Sequence, residues 1–243
     1  MLNDYLYWAP RIVLIAAAFT FPVLFFITAG YGRHASGKGF TVPAKLGWVV
    51  MESPSVFLFA LGWVTNPSFG APMVTTLGLA WLLHYVQRTF IFTALMRGPQ
   101  KRMPFYVMLL AVFFNLLNGP ANGASLTERS LDVWFFVGFV VFLTGFVINV
   151  HADHVLRNLR KPGDTGYAIP RGGLYGWISA PNYFGELIEW LGFAIAAQTL
   201  PAWAFFVFTG ANLIPRAWSN HKWYREKFPD YPAQRRALLP FIW

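Results

Sequence analysis

Seven stretches of the chain are dense in Leu, Val, Ile, Phe, Ala and Trp and nearly free of charge: 12–29, 46–64, 74–95, 103–117, 133–150, 175–200 and 203–217. Most approach the roughly 20 residues that an α-helix needs to cross the hydrocarbon core of a bilayer. The pattern therefore predicts an all-α integral membrane protein, a bundle of seven transmembrane helices. The fourth and seventh runs are short, and the seventh carries Pro215. Over 149–189 the apolar pattern gives way to polar side chains at helical spacing. Asn149, Asp153 and Arg157 fall four apart and Arg160 follows three later, which stacks them on one helix face. Asn182, Glu186 and Glu189 repeat the pattern with opposite charge. Between them the Pro and Gly positions of 161–166 and 170–173 read as a structured basic loop. No internal repeat or linker divides the chain, so 1–243 is read as one domain.

Composition sharpens the class. With 56% hydrophobic and 12% charged residues, an ordinary soluble domain is excluded. The net charge of +9 accompanies 25 Phe and 11 Trp, so the excess Lys and Arg is assigned to membrane topology and not to a nucleic-acid partner. Its placement alternates. Sixteen of the nineteen basic residues lie in the first, third and fifth loops and the tail; Arg11 and Arg129 lie on the other side and Arg88 within the third span. That predicts the N-terminus outside and the C-terminus in the cytoplasm. Zero Cys excludes disulfides, thiolate metal sites and cysteine nucleophiles. The first apolar run, with no basic segment and cleavage signal around it, is expected to be a retained span.

Ionisable groups at bilayer depth cost several kcal/mol unless paired or hydrated, so each marks a candidate site. Glu52 has no cation in its own segment and sits beside Pro54, which is expected to interrupt its span; this favours a functional role. His84, Tyr85, Gln87 and Arg88 share the third run. Arg88 can alternatively snorkel to the interface, and Glu189 can pair with an arginine of the fifth loop. Asn149 and Asn182 can serve as interhelical glue, and Tyr85 can belong to an aromatic belt, the reading preferred for Trp203 and Trp243. A carboxyl group in an apolar wall can stay protonated and, beside a phenol, grip a carbonyl oxygen in the manner of an oxyanion hole. Arg160, Lys161, Arg171 and Arg216 offer cations for an anionic cofactor's phosphates. The chain has no G-x-G-x-x-G after a strand, no Walker A pattern and no H-E-x-x-H, and no metal site is predicted.

Several motifs follow one another from the first loop to the C-terminus. They are Tyr31-Gly32-Arg33-His34, Glu52-Ser53-Pro54-Ser55, His84-Tyr85-Val86-Gln87-Arg88-Thr89-Phe90 and Asn149-Val150-His151-Ala152-Asp153. After them come Ile169-Pro170-Arg171-Gly172-Gly173-Leu174, Asn182-Tyr183-Phe184-Gly185-Glu186-Leu187-Ile188-Glu189-Trp190 and the ending Ala237-Leu238-Leu239-Pro240-Phe241-Ile242. On these residues the chain resembles the steroid 5-alpha-reductase family (3-oxo-5-alpha-steroid 4-dehydrogenases), in a form that looks bacterial. The resemblance implies a seven-helix membrane reductase that uses NADPH to saturate the carbon-4,5 double bond of a 3-keto steroid or sterol-like lipid; the protein is expected to be a monomer. It implies a multi-pass protein of the bacterial inner membrane, or of the endoplasmic reticulum in a eukaryote. Carried over residue by residue, it assigns Glu52 and Tyr85 to the 3-keto oxygen, and Trp48 and Phe114 to the steroid pocket. Cofactor contacts fall to Arg88, Asn149, Asp153, Arg160, Tyr167, Asn182, Glu186, Arg216 and Tyr224. The chain departs from the family at Ala168, where close relatives carry Arg, and at Ser219-Asn220-His221, where they carry histidines; both bear on the adenosine side.

Two other classes share features of the sequence. The C-terminal half is similar to membrane methyltransferases acting on isoprenylated cysteine, although methyl transfer has no use for an acid pair on a ketone. A lipid transporter also lines its path with intramembrane charge, but its usual repeats are not evident here.

Overall fold

In a chain this apolar, backbone N–H and C=O groups find little water to bond, and helices satisfy them internally. The computed structural model, which describes residues 2–28, 30, 34, 39–97, 102–159 and 166–243, is accordingly built of long helices. They are α1 (Leu2–Phe26), α2 (Ala44–Val64), α3 (Pro72–Val86), which continues through a π-helical segment (Gln87–Phe92) into α4 (Thr93–Leu95), α5 (Phe105–Ser125), α6 (Val133–Asn158), α7 (Pro181–Ala197) and α8 (Leu200–Lys227). Two short strands, β1 (Thr41–Pro43) and β2 (Arg102–Pro104), precede α2 and α5. Each apolar run lies largely on one helical rod, with α3 to α4 counted as one. Among the described residues, α1, α2, α5 and α6 are long and apolar enough to cross a membrane.

The helices differ from the sequence pattern in several places: α5 runs on to Ser125, α6 to Asn158 and α8 to Lys227, past the ends of the fourth, fifth and seventh apolar runs. The first helix starts at Leu2 and not at Ile12: Asp4 lies in its first turn, where a carboxylate complements the helix dipole, and the Tyr5 hydroxyl donates to Leu117 O at 2.7 Å. The run at 175–200 is helical in α7 only from Pro181. Tyr175 is buried in a 3₁₀ turn (Gly173–Gly176), and Ile178 bridges to Arg236 of the tail, so these apolar residues are covered by the tail and by α6. Finally, α2 runs unbroken through Pro54. Proline withholds one N–H from the helix, but neighbouring helices hold the backbone around it. Met51 O accepts from Asn115 Nδ2 at 2.7 Å and Ser55 O from Trp81 Nε1 at 2.9 Å.

Helix α7 lies antiparallel to α6 with backbone against backbone. Gly138 and Gly145 of α6 face Gly192 and Gly185 of α7; a Cβ added to Gly145 would fall 2.2 Å from Glu189 N, and one on Gly192 2.2 Å from Phe142 N. Small residues two turns apart are what allow membrane helices so close an approach. Helices α2 and α5 approach similarly, a Cβ on Gly119 lying 3.1 Å from Pro54 O. The core between α2, α3, α7 and α8 is aromatic: Trp81 stacks on Phe59 at 4.6 Å and meets Trp190 at 5.1 Å and Phe205 at 5.2 Å.

The connections gather at two ends. At one, β1 pairs antiparallel with β2, His34 Nε2 lies 3.1 Å from Asn220 Oδ1, and Ser179 N donates to Arg236 O at 2.8 Å. At the other, Asn66 Nδ2 donates to Leu126 O at 2.7 Å and Arg129 Nη2 to Ala196 O at 2.5 Å. Asp132 caps α6 there, accepting from Phe135 N at 2.9 Å with Arg129 Nη1 at the same distance; these contacts, the Phe135 amide first, hold its carboxyl below its usual range.

Candidate active site

The aromatic core ends in a polar wall. One turn beyond Trp81, His84 Nδ1 lies 2.8 Å from Glu189 Oε1, and both side chains are buried. Among the described residues Glu189 thus pairs with His84 of α3 and not with a loop arginine. The phenol of Tyr85 lies near enough to Glu52 and Ser55 of α2 to interact with both. Glu52 itself is half-buried, and its Oε2 accepts a long hydrogen bond of 3.4 Å from Asn115 Nδ2 of α5.

Arg88 follows at the start of the π-helical segment, a wider turn than the α-helix and one that recurs at functional sites. Its side chain does not snorkel to the interface. Arg88 Nη1 lies 3.1 Å from Asp153 Oδ2, and the guanidinium sits over Trp48 at 4.7 Å and Phe92 at 4.6 Å. Asp153 uses its other oxygen for Asn182 Nδ2, at 3.1 Å. Asn149 Nδ2 donates to Asn182 O at 2.9 Å and, at 3.5 Å, to Glu186 Oε2. Arg88, Asn149, Asp153, Asn182 and Glu186 thus form one connected set across the π-helical segment, α6 and α7. Glu52, His84 and Glu186 lie within electrostatic reach of Arg88 and of one another, so the residues expected on the carbonyl side and on the cofactor side stand in a single cluster.

The other expected residues lie around it. Arg216 of α8 donates to Tyr183 Oη at 3.1 Å, beside Asn182. Further along α8, Trp223 packs against Tyr167 at 4.9 Å and Tyr224 at 5.3 Å, and Tyr224 stacks on Tyr231 at 5.2 Å. Phe114 stacks on Phe208 at 4.1 Å and reaches Phe205, the ring that packs on Tyr85. Arg160 and Lys161 lie outside the described residues; Arg171 is exposed.

Sequence reasoning missed two residues here. Asn115 is a single amide in an otherwise apolar run and gave no signal. Arg235, read only as a topology charge, is 4% exposed over the Tyr231 ring, with Nε and Nη1 lacking hydrogen-bond partners among the described residues.

The sequence model of the 3-oxo-5-alpha-steroid 4-dehydrogenase family matches residues 101–243. The chain belongs to that family. Among its steroid 5-alpha-reductase relatives, 3-oxo-5-alpha-steroid 4-dehydrogenase 1 of Bos taurus is 46% identical over 227 residues, covering 87% of each chain. The Homo sapiens protein of the same name is 42% identical over 223 residues, 87% of this chain and 85% of its own. A steroid 5-alpha-reductase of Solanum lycopersicum is 38% identical over 243 residues, 95% of this chain and 94% of its own. That last match extends the family likeness through most of the chain ahead of residue 101, the part that holds Glu52 and Tyr85.

Proposed function

We propose that the protein reduces the carbon-4,5 double bond of 3-oxo-4-ene steroids with NADPH as cofactor, in the cluster between α2, α3, α6 and α7. One observation carries this reading: an acid and a phenol, Glu52 and Tyr85, lie within electrostatic reach of each other and of the connected Arg88, Asp153, Asn182, Asn149 and Glu186 set. Family membership supplies the reaction class.

A dinucleotide suits the groups present. Amides and carboxylates from α6 and α7 offer the donors and acceptors that a carboxamide and ribose require. Arg216, and Arg235 with two buried nitrogens that have no partner among the described residues, offer cations for phosphates. When bound, NADPH supplies the hydride received at carbon 5. Glu52 and Tyr85 donate hydrogen bonds to the 3-keto oxygen and stabilise the negative charge that grows there. Carbon 4 then takes a proton from water. Trp48 and Phe114 line the steroid, and the aromatic wall around Trp81 keeps bulk water from the reacting atoms. Every group in this scheme comes from one chain, so a monomer suffices.

The same reading includes seven spans, with the basic end of the bundle in the cytoplasm and the N-terminus on the opposite side. Support comes from the pairing of β1 with β2, of His34 with Asn220 and of Ser179 with Arg236, which brings the Lys- and Arg-rich segments to one end. In a bacterial inner membrane or an endoplasmic reticulum membrane that end faces the cytoplasm. Because the chain has no cysteine, Gly166→Cys and Glu128→Cys should react with an impermeant thiol reagent from opposite sides; reaction from the same side would break the topology.

The activity is tested by following NADPH absorbance with purified protein and a 3-keto-4-ene steroid. Consumption should require the steroid and yield its 5α-reduced product; a cofactor signal indifferent to steroid would overturn the assignment.

A further inference from the structure

The interior of α5 holds Asn115 at 3% exposure, where an amide is costly unless it is hydrogen-bonded. Both of its N–H groups have an acceptor. Asn115 Nδ2 lies 2.7 Å from Met51 O and 3.4 Å from Glu52 Oε2. The backbone carbonyl fixes which way the amide faces: turned over, Asn115 would set its own carbonyl oxygen against Met51 O, two acceptors with no proton between them. An N–H therefore faces Glu52 Oε2. Since an N–H cannot accept, Oε2 is the acceptor, and because a carbonyl oxygen accepts more strongly than a hydroxyl oxygen, this contact favours a proton on Oε1. The close passage of α2 over Gly119, one turn further along α5, lets so short a side chain reach both oxygens.

We propose that Asn115 is the positioning residue that fixes the Glu52 carboxyl group, keeping Oε2 toward α5 and presenting protonated Oε1 to the substrate carbonyl. This rests on the reading that Glu52 acts on that carbonyl. Holding the backbone would need one N–H only, on Met51 O; the second N–H is what links Asn115 to the chemistry.

The experiment measures kcat, steroid KM and NADPH affinity for Asn115→Leu, Asn115→Ser, Asn115→Gln, Glu52→Gln and the Asn115→Leu/Glu52→Gln pair. Asn115→Leu removes both donors and should lower kcat about 10- to 100-fold, the scale of a small misplacement of a reacting group. Steroid KM and NADPH affinity should stay within about twofold, as for a contact that matters mainly in the transition state. Asn115→Gln keeps two N–H donors and should recover part of the loss. The double variant should be no slower than Glu52→Gln alone. Where Asn115→Leu does not fold, Asn115→Ser decides, because its single O–H can serve Met51 O but not Glu52 at the same time. Near-normal kcat in the folded Leu or Ser variant, with Glu52→Gln impaired, overturns the inference and leaves the Glu52 reading intact. A multiplicative loss in the double variant overturns it too. Full turnover in Glu52→Gln would instead remove the Glu52 reading itself.

Discussion

Arg88 and Asp153 meet at 3.1 Å, a cation from the π-helical segment and a carboxylate from α6, with 13% and 6% of their side chains exposed. Breaking a buried pair by removing one partner leaves an uncompensated charge and costs about 3–5 kcal/mol. Asp153→Leu should therefore lower the thermal unfolding midpoint in detergent sharply. Arg88→Met combined with Asp153→Leu should recover much of that loss, but not NADPH binding. If the double variant binds NADPH normally, the pair belongs to the scaffold alone.

Glu52→Gln and Tyr85→Phe each withdraw one donor from the proposed carbonyl site. Each should stay folded, bind NADPH and lose about two to three orders of magnitude in steroid turnover. The double variant should be scarcely worse than the poorer single one, as for groups that act as a unit. Near-normal turnover in either single variant would place carbonyl activation elsewhere.

The backbone contact of α6 with α7 sets the spacing of the residues proposed to bind the cofactor. A Cβ at position 145 has only backbone to meet, so Gly145→Ala should force the helices apart at a cost of about 1–3 kcal/mol. NADPH affinity should fall with it, since Asn149 and Asp153 then move away from Asn182 and Glu186. Gly176→Ala, with nothing within 4 Å of the added atom, should change neither property. Equal behaviour of the two variants in unfolding and cofactor titrations would refute the packing argument.

Acid should act on the α6 cap. The Phe135 amide and Arg129 keep Asp132 ionised to lower pH in the folded chain than in the unfolded one. Its contribution is therefore complete above the ordinary carboxylate value of about 4 and is lost as pH falls through the lower folded value. Asp132→Ala should have a lower unfolding midpoint than the parent at neutral pH, and the gap should close on acidification. Asp132→Asn retains a capping oxygen and should fall between them. A gap independent of pH would mean that the Asp132 charge contributes nothing.

The helices were legible because each apolar run had to form its own backbone hydrogen bonds. Where reading failed, the deciding contact came from far along the chain. Pro54 looked like a break because Asn115 and Trp81, which bond to the carbonyls around it, lie in other helices. Tyr175 and Ile178 looked like the start of a span because nothing near them in sequence announces that Arg236 and its neighbours will cover them. The polar face of Asn149 and Asp153 was visible from spacing alone, and so was that of Asn182 and Glu186. That Asp153 would hold Arg88 on one oxygen and Asn182 on the other was not, since helical periodicity orders residues within a helix and says nothing of which helix lies opposite.

Helix α1 packs chiefly on α8 and α5, and its Tyr5 hydroxyl is anchored on Leu117 O. Its main partner is thus a helix made long after it. At about 5–20 residues per second, α8 emerges from the ribosome on the order of tens of seconds after α1. During that interval α6 and α7, joined by their glycines, can already clasp each other, while the first helix holds only its smaller contact, the one with α5. Biogenesis of this protein is therefore expected to finish at α1, held first by α5 alone and covered along its main face when α8 arrives.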